Sequence, residues 1–441
     1  MFKDTIVAIA TGASEGAISI VRLSGEDAIA IVNDLFDKNI LEEKGYTIHY
    51  GTILEEGKPV DEVLVNLFRA PKSYTGEDMV EINCHGGHYV TRKVLSLCLG
   101  KGARMARNGE FTERAYLNGH LDLAQAESVN DLIRAQDDIN ATSAIYSLKG
   151  SVKELLDPLT EDLTQILSQI EVNIDYPEYD DVKQLTEEEI LPKAKEWLSR
   201  IEEIINEAKQ AVFIRGGIKT AIVGKPNVGK SSLLNALLEE DKAIVTEIAG
   251  TTRDLVEGTV RIGNVTLNLV DTAGIHESED RIEQMGIARS IQAIEKAQLI
   301  LLVLDAASEL DEQDQELLEK TKDKDRILIY NKKDQKELPD TIAVSALNHD
   351  IKALKDAIEQ KYQEEIRIAS SSTLNNERQI GLALEAKGAM QDAIASLEAG
   401  AELDLVTIDL QKAYYALKEI TGEVSKEDFL EEVFSRFCLG K

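Results

Sequence analysis

The string GKPNVGKS at residues 224–231 constrains the fold of this chain more than any other feature. It matches G-x-x-x-x-G-K-S, a glycine-rich loop whose backbone N–H groups wrap around phosphates. An apolar run at 219–223 precedes it and a helical pattern at 232–239 follows it, which is the strand–loop–helix order that such a loop requires. The spacing therefore predicts an α/β domain built around a nucleotide. Within it, we expect Lys230 to reach the β- and γ-phosphates and the Ser231 hydroxyl to bind Mg²⁺.

Two later motifs indicate which base is bound. NKKD at 331–334 follows a predicted strand at 327–330, and SAL at 345–347 follows residues 342–344. The Asp334 carboxylate can accept hydrogen bonds from both N1–H and the exocyclic amine of guanine. Adenine offers neither donor, and a site built around polar readout rejects such an analogue strongly. These motifs predict GTP rather than ATP as the substrate.

The motifs DTAG at 271–274 and GTTRD at 250–254 are expected to surround the γ-phosphate. We expect Asp271 to hold the Mg²⁺ shell through water, Gly274 to approach the γ-phosphate, and Thr252 to bind Mg²⁺ and release after hydrolysis. The predicted GTP-binding residues are Asn227, Val228, Gly229, Lys230, Ser231, Ser232, Thr246, Glu247, Ile248, Ala249, Gly250, Thr251, Thr252, Asp271, Thr272, Ala273, Gly274, Asn331, Lys332, Asp334, Ser345, Ala346 and Leu347.

Hydrolysis needs a group that orients water and a positive charge at the β–γ bridge. Many GTPases carry a Gln directly after the DxxG glycine, but this chain has Ile275 there, and the sequence assigns no arginine finger. Asn227 and the oxygens of 246–251 could instead enclose a monovalent cation. Glu283 could orient the water, although its spacing fits equally a solvated acid among several.

The chain divides into segments of different character. Residues 1–118 have the pattern of a compact α+β unit, with strands predicted at 5–10, 17–23, 63–68 and 79–83 and helices at 26–36 and 88–100. Residues 217–372 alternate strand and helix. Residues 119–212 and 375–441 carry amphipathic helical patterns, and the simplest arrangement packs them as one helical domain with the α/β segment inserted. The alternative is a C-terminal tail that packs on the α/β domain.

The net charge of −31 argues against tight nucleic-acid binding by the chain as a whole, because phosphate contacts need local cations. One run, 82–109, contains no acid. It is either an anion-facing patch or a solvated face. Its cations are Arg92, Lys93, Lys101, Arg104 and Arg107.

The rest of the composition favours a cytoplasmic, globular chain. The start of the sequence has no secretory pattern, and no apolar stretch is long enough to cross a membrane. Cys84, Cys98 and Cys438 are scattered, so structural disulfides are not expected. The pair His85 and His88 has no further ligand pattern, which favours a glycine-rich turn over a metal site.

Several strings outside the nucleotide motifs are specific and occur in one order. They are SYTGED at 73–78, HGG at 85–87, GEFTERA at 109–115, LDLAQAE at 121–127, DYPE at 175–178 and the terminal FCLGK at 437–441. With these strings the whole chain resembles the MnmE (TrmE) family of bacterial tRNA-modification GTPases. The resemblance implies an N-terminal α+β folate-binding-like domain, a helical domain and an inserted Ras-like P-loop GTPase domain.

The resemblance also implies partners and chemistry. The family forms a homodimer through the N-terminal domain. It works on tRNA with an FAD-binding MnmG (GidA)-type protein, as a heterotetramer or larger assembly. Together they add an aminomethyl-type (carboxymethylaminomethyl) group to C5 of the wobble uridine, using a tetrahydrofolate derivative in its 5-formyl or methylene form. K⁺ promotes pairing of the GTPase domains and hydrolysis.

Carried over residue by residue, the family pattern assigns further sites. It places K⁺ on Asn227, Thr246, Ile248 and Thr251, and Mg²⁺ on Ser231 and Thr252. It places the water-orienting acid on Glu283. The implied folate pocket consists of Arg22, Glu81, His120 and Lys441. His120 stands where the family pattern leads us to expect Lys or Arg.

Cys438 has two interpretations. As a catalytic residue it would present a thiol near the folate or uridine, with only Arg436 and Lys441 nearby in sequence to lower its pKa. Otherwise it is a small buried hydrophobe of the last helix, and the reaction chemistry belongs to the flavin partner.

Two other functions are compatible with parts of the sequence. One is a regulatory GTPase of ribosome assembly without modification chemistry, because hydrolysis alone does not define the output. Such a protein is expected to append a basic RNA-binding module, whereas the C-terminal segment here is acidic and helical. The other is a one-carbon enzyme in which residues 1–118 act alone and GTP is structural.

Overall fold

The computed structural model describes residues 4–12, 14–175, 189–240, 256–270, 294–371, 373–424, 437 and 440. They form two compact units, each made of segments far apart in sequence. The first comprises Met1–Ala135, Ala144–Ile201 and Gly381–Lys441. The second comprises Gln136–Ser143 and Glu202–Ile380. The expected three-domain boundaries remain predictions.

The first unit contains a mixed sheet of six strands in the order β3-β4-β5-β2-β1-β6. The strands are β1 (Ile6–Ile9), β2 (Ile18–Ser24), β3 (Thr47–Glu55), β4 (Lys58–Phe68), β5 (Met79–His85) and β6 (Arg104–Met105). Helices α1 (Ala28–Leu35) and α2 (His88–Gly100) share its core. Strand residues alternate between two faces, so Val21 and Leu23 of β2 are buried while Arg22 between them is on the opposite face.

Helix α3 (Glu110–Leu117) carries a buried ionic network. The Arg114 side chain is fully buried and pairs with Glu110, Glu77 and Asp4 at 3.3, 3.1 and 2.8 Å. Glu110 is also fully buried, and Arg104 lies 2.6 Å from it. A buried ion is stable only when its partners replace the lost water, so this network ties α3 to the start of the chain and to the segment around Glu77.

The remaining helices of this unit pack through apolar stripes. Helix α4 begins at Asp122, whose side chain forms a capping box with Gln125. Trp197 is buried, and its Nε1 donates to the Leu159 carbonyl at 2.8 Å. The helices are α4 (Leu123–Arg134), α6 (Ser151–Asp175) and α13 (Leu403–Thr421), while α5 (Asp138–Leu148), α7 (Leu191–Arg215) and α12 (Glu377–Glu398) extend into the second unit.

The second unit contains a five-stranded sheet in the order β11-β10-β7-β9-β8. The strands are β7 (Ile218–Val223), β8 (Val256–Ile262), β9 (Val265–Val270), β10 (Leu299–Asp305) and β11 (Arg326–Asn331). All pairs are parallel except β8 with β9. Residues 299–304 of β10 are all buried, as expected for a parallel strand covered on both faces. Its helices are α8 (Lys230–Glu240), α9 (Glu312–Lys320), α10 (Lys352–Lys361) and α11 (Gln363–Ala369).

The predicted fold class, multidomain α/β and α+β, is confirmed. Residues 342–344, which precede the SAL motif, contribute one isolated bridge to β11, between Tyr330 and Ala343. Strand β3 was not among the predicted strands, because its exposed face carries the apolar side chains Ile48 and Tyr50 and masks the usual alternation.

Candidate nucleotide-binding site

The phosphate loop connects β7 to α8 through backbone conformations that few residues adopt. Asn227 has φ 61° and Gly229 has φ 93°. Asparagine tolerates the left-handed region better than most residues, and glycine enters it freely. A Cβ at position 229 would lie 2.2 Å from Nδ2 of Asn331, so a side chain there has no space. The loop therefore needs both residue types to reach the first turn of α8.

Lys230 folds its ammonium group back over the loop. Its Nζ donates to the carbonyl oxygens of Gly224 at 2.9 Å and Lys225 at 2.8 Å. Burial lowers the pKa of Lys230, because removing the charge from water disfavours the ammonium form. A phosphate beside this group would favour the charged form. Ser231 and Ser232 follow as exposed residues of the first turn of α8.

Asn331 connects the phosphate loop to the base-binding end of the site. Its buried side-chain amide donates from Nδ2 to the Val228 carbonyl at 2.8 Å. Its Oδ1 accepts from the backbone N–H of Ala346 at 3.0 Å, at the start of a short 3-10 helix, Ala346–Asn348. One side chain thus joins three of the sequence motifs.

The base-binding end presents a carboxylate to solvent. Asp334 is exposed, and the buried Ser345 hydroxyl donates a hydrogen bond to its Oδ1. Lys332 has φ 68°, and its Nζ lies 2.6 Å from Asp305. Leu347 is 78% exposed. The hydrogen bond from Ser345 orients the Asp334 carboxylate, an acceptor that suits the N–H donors on the edge of guanine.

Other predicted site residues lie outside the described residues, and their positions stay predictions. These are Thr246, Glu247, Ile248, Ala249, Gly250, Thr251, Thr252, Asp271, Thr272, Ala273, Gly274, Glu283, Cys438 and Lys441.

Comparison with known proteins shows the family. Residues 5–120 match the model described as "GTP-binding protein TrmE N-terminus", and residues 123–438 match the "MnmE helical domain". The tRNA modification GTPase MnmE of Lactococcus lactis subsp. lactis (strain IL1403) is 48% identical over 99% of this chain and 98% of its own length. This chain belongs to the MnmE family. The MnmE of Lacticaseibacillus paracasei (strain ATCC 334) is 48% identical, and that of Streptococcus thermophilus (strain CNRZ 1066) is 46% identical, each over 99% of this chain and 98% of its own length.

Membership of the MnmE family makes the chain a GTPase, with GTP as its substrate. The geometry agrees with this assignment, because the described part of the site contains the phosphate loop, its lysine Lys230 and the exposed carboxylate of Asp334. Among the described residues, no helix is long and apolar enough to cross a membrane.

In the N-terminal unit, two residues that the family pattern assigns to folate lie opposite each other on neighbouring strands. Arg22 of β2 pairs with Glu81 of β5, with Nη2 2.7 Å from Oε1. Arg22 Nη1 also donates to the Gly440 carbonyl at 3.0 Å. The rings of Tyr74 and Phe111 lie 5.9 and 5.7 Å from its guanidinium carbon. The guanidinium of Arg22 is thus held by a carboxylate, a backbone carbonyl and two aromatic rings.

His120 is not part of this constellation in the described contacts. It is exposed, and its backbone N–H donates to the Ala115 carbonyl at 2.8 Å. His85 pairs through Nδ1 with Asp61 at 2.7 Å, and the described part of the chain contains no cluster of His, Cys, Asp and Glu that could hold a metal ion. Cys84 and Cys98 are buried free thiols. Burial raises the pKa of Cys98 to about 12.

Several residues around these sites were missed by reasoning from sequence. Asp305 is the last residue of β10, whose other residues are all apolar. A polar residue at the carboxyl end of a parallel strand indicates a ligand site, so the sequence did contain a signal for Asp305. Lys225, inside the phosphate loop, and the rings of Tyr74 and Phe111 carried no such signal, because their partners lie far away in sequence.

Proposed function

We propose that this chain is the GTP-hydrolysing component of a tRNA-modifying system. In this proposal it adds an aminomethyl-type group to C5 of the wobble uridine together with an FAD-binding, MnmG-type partner. The observation that carries the proposal is the near-complete match to proteins named tRNA modification GTPase, which covers 99% of this chain, together with the guanine site inside it. The proposed location is the cytoplasm.

Ser231 is the described residue proposed to hold Mg²⁺, with Thr252 as a second ligand. Ser231 is in the first turn of α8 beside the phosphate loop, and a hydroxyl is the hard oxygen ligand that Mg²⁺ prefers. When bound, the ion would neutralise charge on the β- and γ-phosphates. Lys230 supplies a second positive group there, and Asn331 keeps the loop and the base end in one arrangement.

Asn227 is the described residue proposed to bind K⁺, together with Thr246, Ile248 and Thr251. Its left-handed backbone leaves the side-chain amide exposed at the rim of the phosphate loop. An amide oxygen there fits a monovalent cation, which would provide the positive charge that an arginine finger supplies in other GTPases. Glu283 is proposed to orient the attacking water.

The Arg22–Glu81 site is proposed to bind a tetrahydrofolate derivative in its 5-formyl or methylene form. A carboxylate such as Glu81 can accept from the amide-like donors of a pterin, and Arg22 can pair with an anionic tail. His120 and Lys441 belong to the proposal from the family pattern alone. Cys438 remains a candidate thiol for the same reaction.

Exposed apolar side chains on the N-terminal sheet support a homodimer. Apolar side chains are exposed there on adjacent strands: Tyr50 of β3 lies opposite Leu64 of β4, and they are 57% and 44% exposed. Ile48 and Ile18 on the same sheet are 68% and 61% exposed. A patch of this kind on a sheet marks an interaction surface, and we propose a second copy of the chain as its occupant.

Weak tRNA binding by the isolated chain is part of the proposal. Most cations of the run at 82–109, which contains no acid, form ion pairs with acids elsewhere in the chain. Lys93 pairs with Glu55 and Lys101 with Asp34. Arg104 and Arg107 both pair with Glu110. This favours a solvated face over an anion patch. We therefore propose that the flavin partner supplies most of the RNA-binding surface, so that binding by this chain alone is strongly salt-dependent.

The proposed function is tested by nucleoside mass spectrometry of tRNA from cells with and without this chain. Loss of the C5-aminomethyl wobble uridines, with recovery on complementation, is the expected result. If those nucleosides persist while ribosomal subunits accumulate, the output is ribosome assembly and the modification role is wrong.

A further inference from the structure

The second residue of the phosphate loop is held by two acids from another part of the chain. Nζ of Lys225 lies 2.8 Å from Asp311 Oδ2 and 2.6 Å from Asp314 Oδ2. The two acids stand 86 and 89 residues further along the chain, at the start of α9. Sequence motifs of the nucleotide site include neither acid.

This ionic contact is rigid on both sides. The side chain of Lys225 is 14% exposed and that of Asp314 only 2%. Asp311 is the N-cap of α9 and forms a reciprocal capping box with Asp314, so both carboxylates are fixed by the helix start. On the other side, Pro226 restricts the backbone of Lys225 to extended conformations.

Lys225 also contacts Lys230, the lysine at the other end of the phosphate loop. The backbone carbonyl of Lys225 accepts a hydrogen bond from Lys230 Nζ at 2.8 Å. Before it, Gly224 packs so closely on β10 that a Cβ would lie 2.5 Å from the Val303 carbonyl. The residue whose side chain the two acids hold therefore also carries an acceptor that positions Lys230.

We propose that Asp311, Lys225 and Asp314 form a lock that holds the phosphate loop in its nucleotide-binding shape. Lys225 is a positioning residue, since it acts through its own carbonyl and Lys230. The lock acts on the loop that surrounds the β-phosphate, which GTP and GDP share. Its loss therefore weakens binding of both nucleotides by the same factor, unlike the loss of a residue that contacts the γ-phosphate alone.

The test uses the full-length chain and measures the Kd of fluorescent GDP and of a non-hydrolysable GTP analogue, with kcat and KM for GTP. For Lys225→Met we expect both Kd values to rise about tenfold, equivalent to ~1.4 kcal/mol. The KM rises in step with the two Kd values, because the change weakens binding of the nucleotide. Lys225→Arg, which keeps the charge and can reach both acids, retains most of the affinity. Lys361→Met, which removes the lysine of a comparable pair with Asp325 in the same unit, is the matched control.

The double variant Asp311→Asn, Asp314→Asn distinguishes a lock from simple long-range attraction between Lys225 and phosphate. Removing two negative charges near the phosphates would tighten binding if Lys225 acted only through its charge. The lock predicts weaker binding instead, because Lys225 loses both anchors. Unchanged or tighter nucleotide binding in a folded double variant overturns the proposal, as does an equal loss in Lys361→Met. Thermal unfolding without nucleotide verifies that each variant is folded.

Discussion

The guanine site and the Arg22–Glu81 site are built in different ways. At the guanine site, short contiguous sequence motifs form the loops that surround the nucleotide. The buried side chain of Asn331 connects these motifs through hydrogen bonds to Val228 and Ala346. At the N-terminal site, two charged side chains 59 residues apart meet because antiparallel register sets them opposite each other. The first kind of site depends on local backbone shape, and the second depends on the whole sheet. Single substitutions at one site can therefore be compared with single substitutions at the other.

The largest expected effect is a change of base preference in Asp334→Asn. The asparagine side chain can no longer accept from both guanine donors, but its amide can donate to the additional oxygen of xanthine. We expect the preference for GTP over xanthosine triphosphate to shift by ~10⁴, since a polar pocket strongly rejects an unmatched partner. Competition binding with the two nucleotides measures this shift, with Asp340→Asn, an exposed acid in the same unit, as the control. An unchanged preference would remove Asp334 from the base pocket.

The next largest effect is expected for Asn331→Ala. The truncation leaves the Val228 carbonyl and the Ala346 N–H without their partner, and each orphaned buried group costs about 1–3 kcal/mol. We expect GTP affinity to fall by ~100-fold, with a lower melting temperature of the nucleotide-free chain. Isothermal titration calorimetry measures the affinity. A GTP affinity equal to that of the wild type would mean that the motifs keep their arrangement without the Asn331 side chain.

These two sites also show what could be read from the sequence. The phosphate loop and the start of the helix after it follow from GKPNVGKS, because this contiguous string specifies both glycine positions, and the strand before it follows from the run at 219–223. The pairing of Lys225 with Asp311, or of Arg114 with Glu77, could not be derived, because tertiary packing determines which distant charges meet. Strand β3 was missed for a different reason: its exposed positions carry the apolar residues Ile48 and Tyr50, so the alternation of apolar and polar residues that indicates a half-buried strand is lost.

A smaller and more selective effect is expected for Arg22→Met. The variant removes the cation from the N-terminal site but leaves the guanine site intact. We expect affinity for 5-formyltetrahydrofolate to fall about tenfold, as for loss of a charge-assisted hydrogen bond, with unchanged GTP affinity. Equilibrium dialysis with the folate and the nucleotide measures both. Lys38→Met, a lysine of the same unit that lies over Tyr50, is the control. Equal folate binding in the variant and the wild type would remove the folate assignment.

The smallest effect concerns stability and pH. Burial would raise the pKa of Glu110, but hydrogen bonds from Arg104 and from the Arg107 N–H outweigh it and lower the pKa below its ordinary value of 4.5. A carboxyl with a lowered folded-state pKa stabilises the fold above its unfolded pKa, and this contribution disappears as the pH falls through the folded value. We expect Glu110→Gln to cost about 1–3 kcal/mol at pH 7. The difference from wild type should shrink below pH 4.5, as measured by urea unfolding. A difference that is constant with pH would exclude the ionised form as the stabilising species.

We propose that GTP turnover at this site drives modification of tRNA. The sharpest test is nucleoside mass spectrometry of tRNA from cells whose only copy of the chain carries Lys230→Ala, with immunoblotting to show that the variant accumulates. We expect the C5-aminomethyl wobble uridines to disappear although the chain is present. Normal levels of those nucleosides would show that modification proceeds without the lysine of the phosphate loop, and the proposed dependence on GTP turnover would then be wrong.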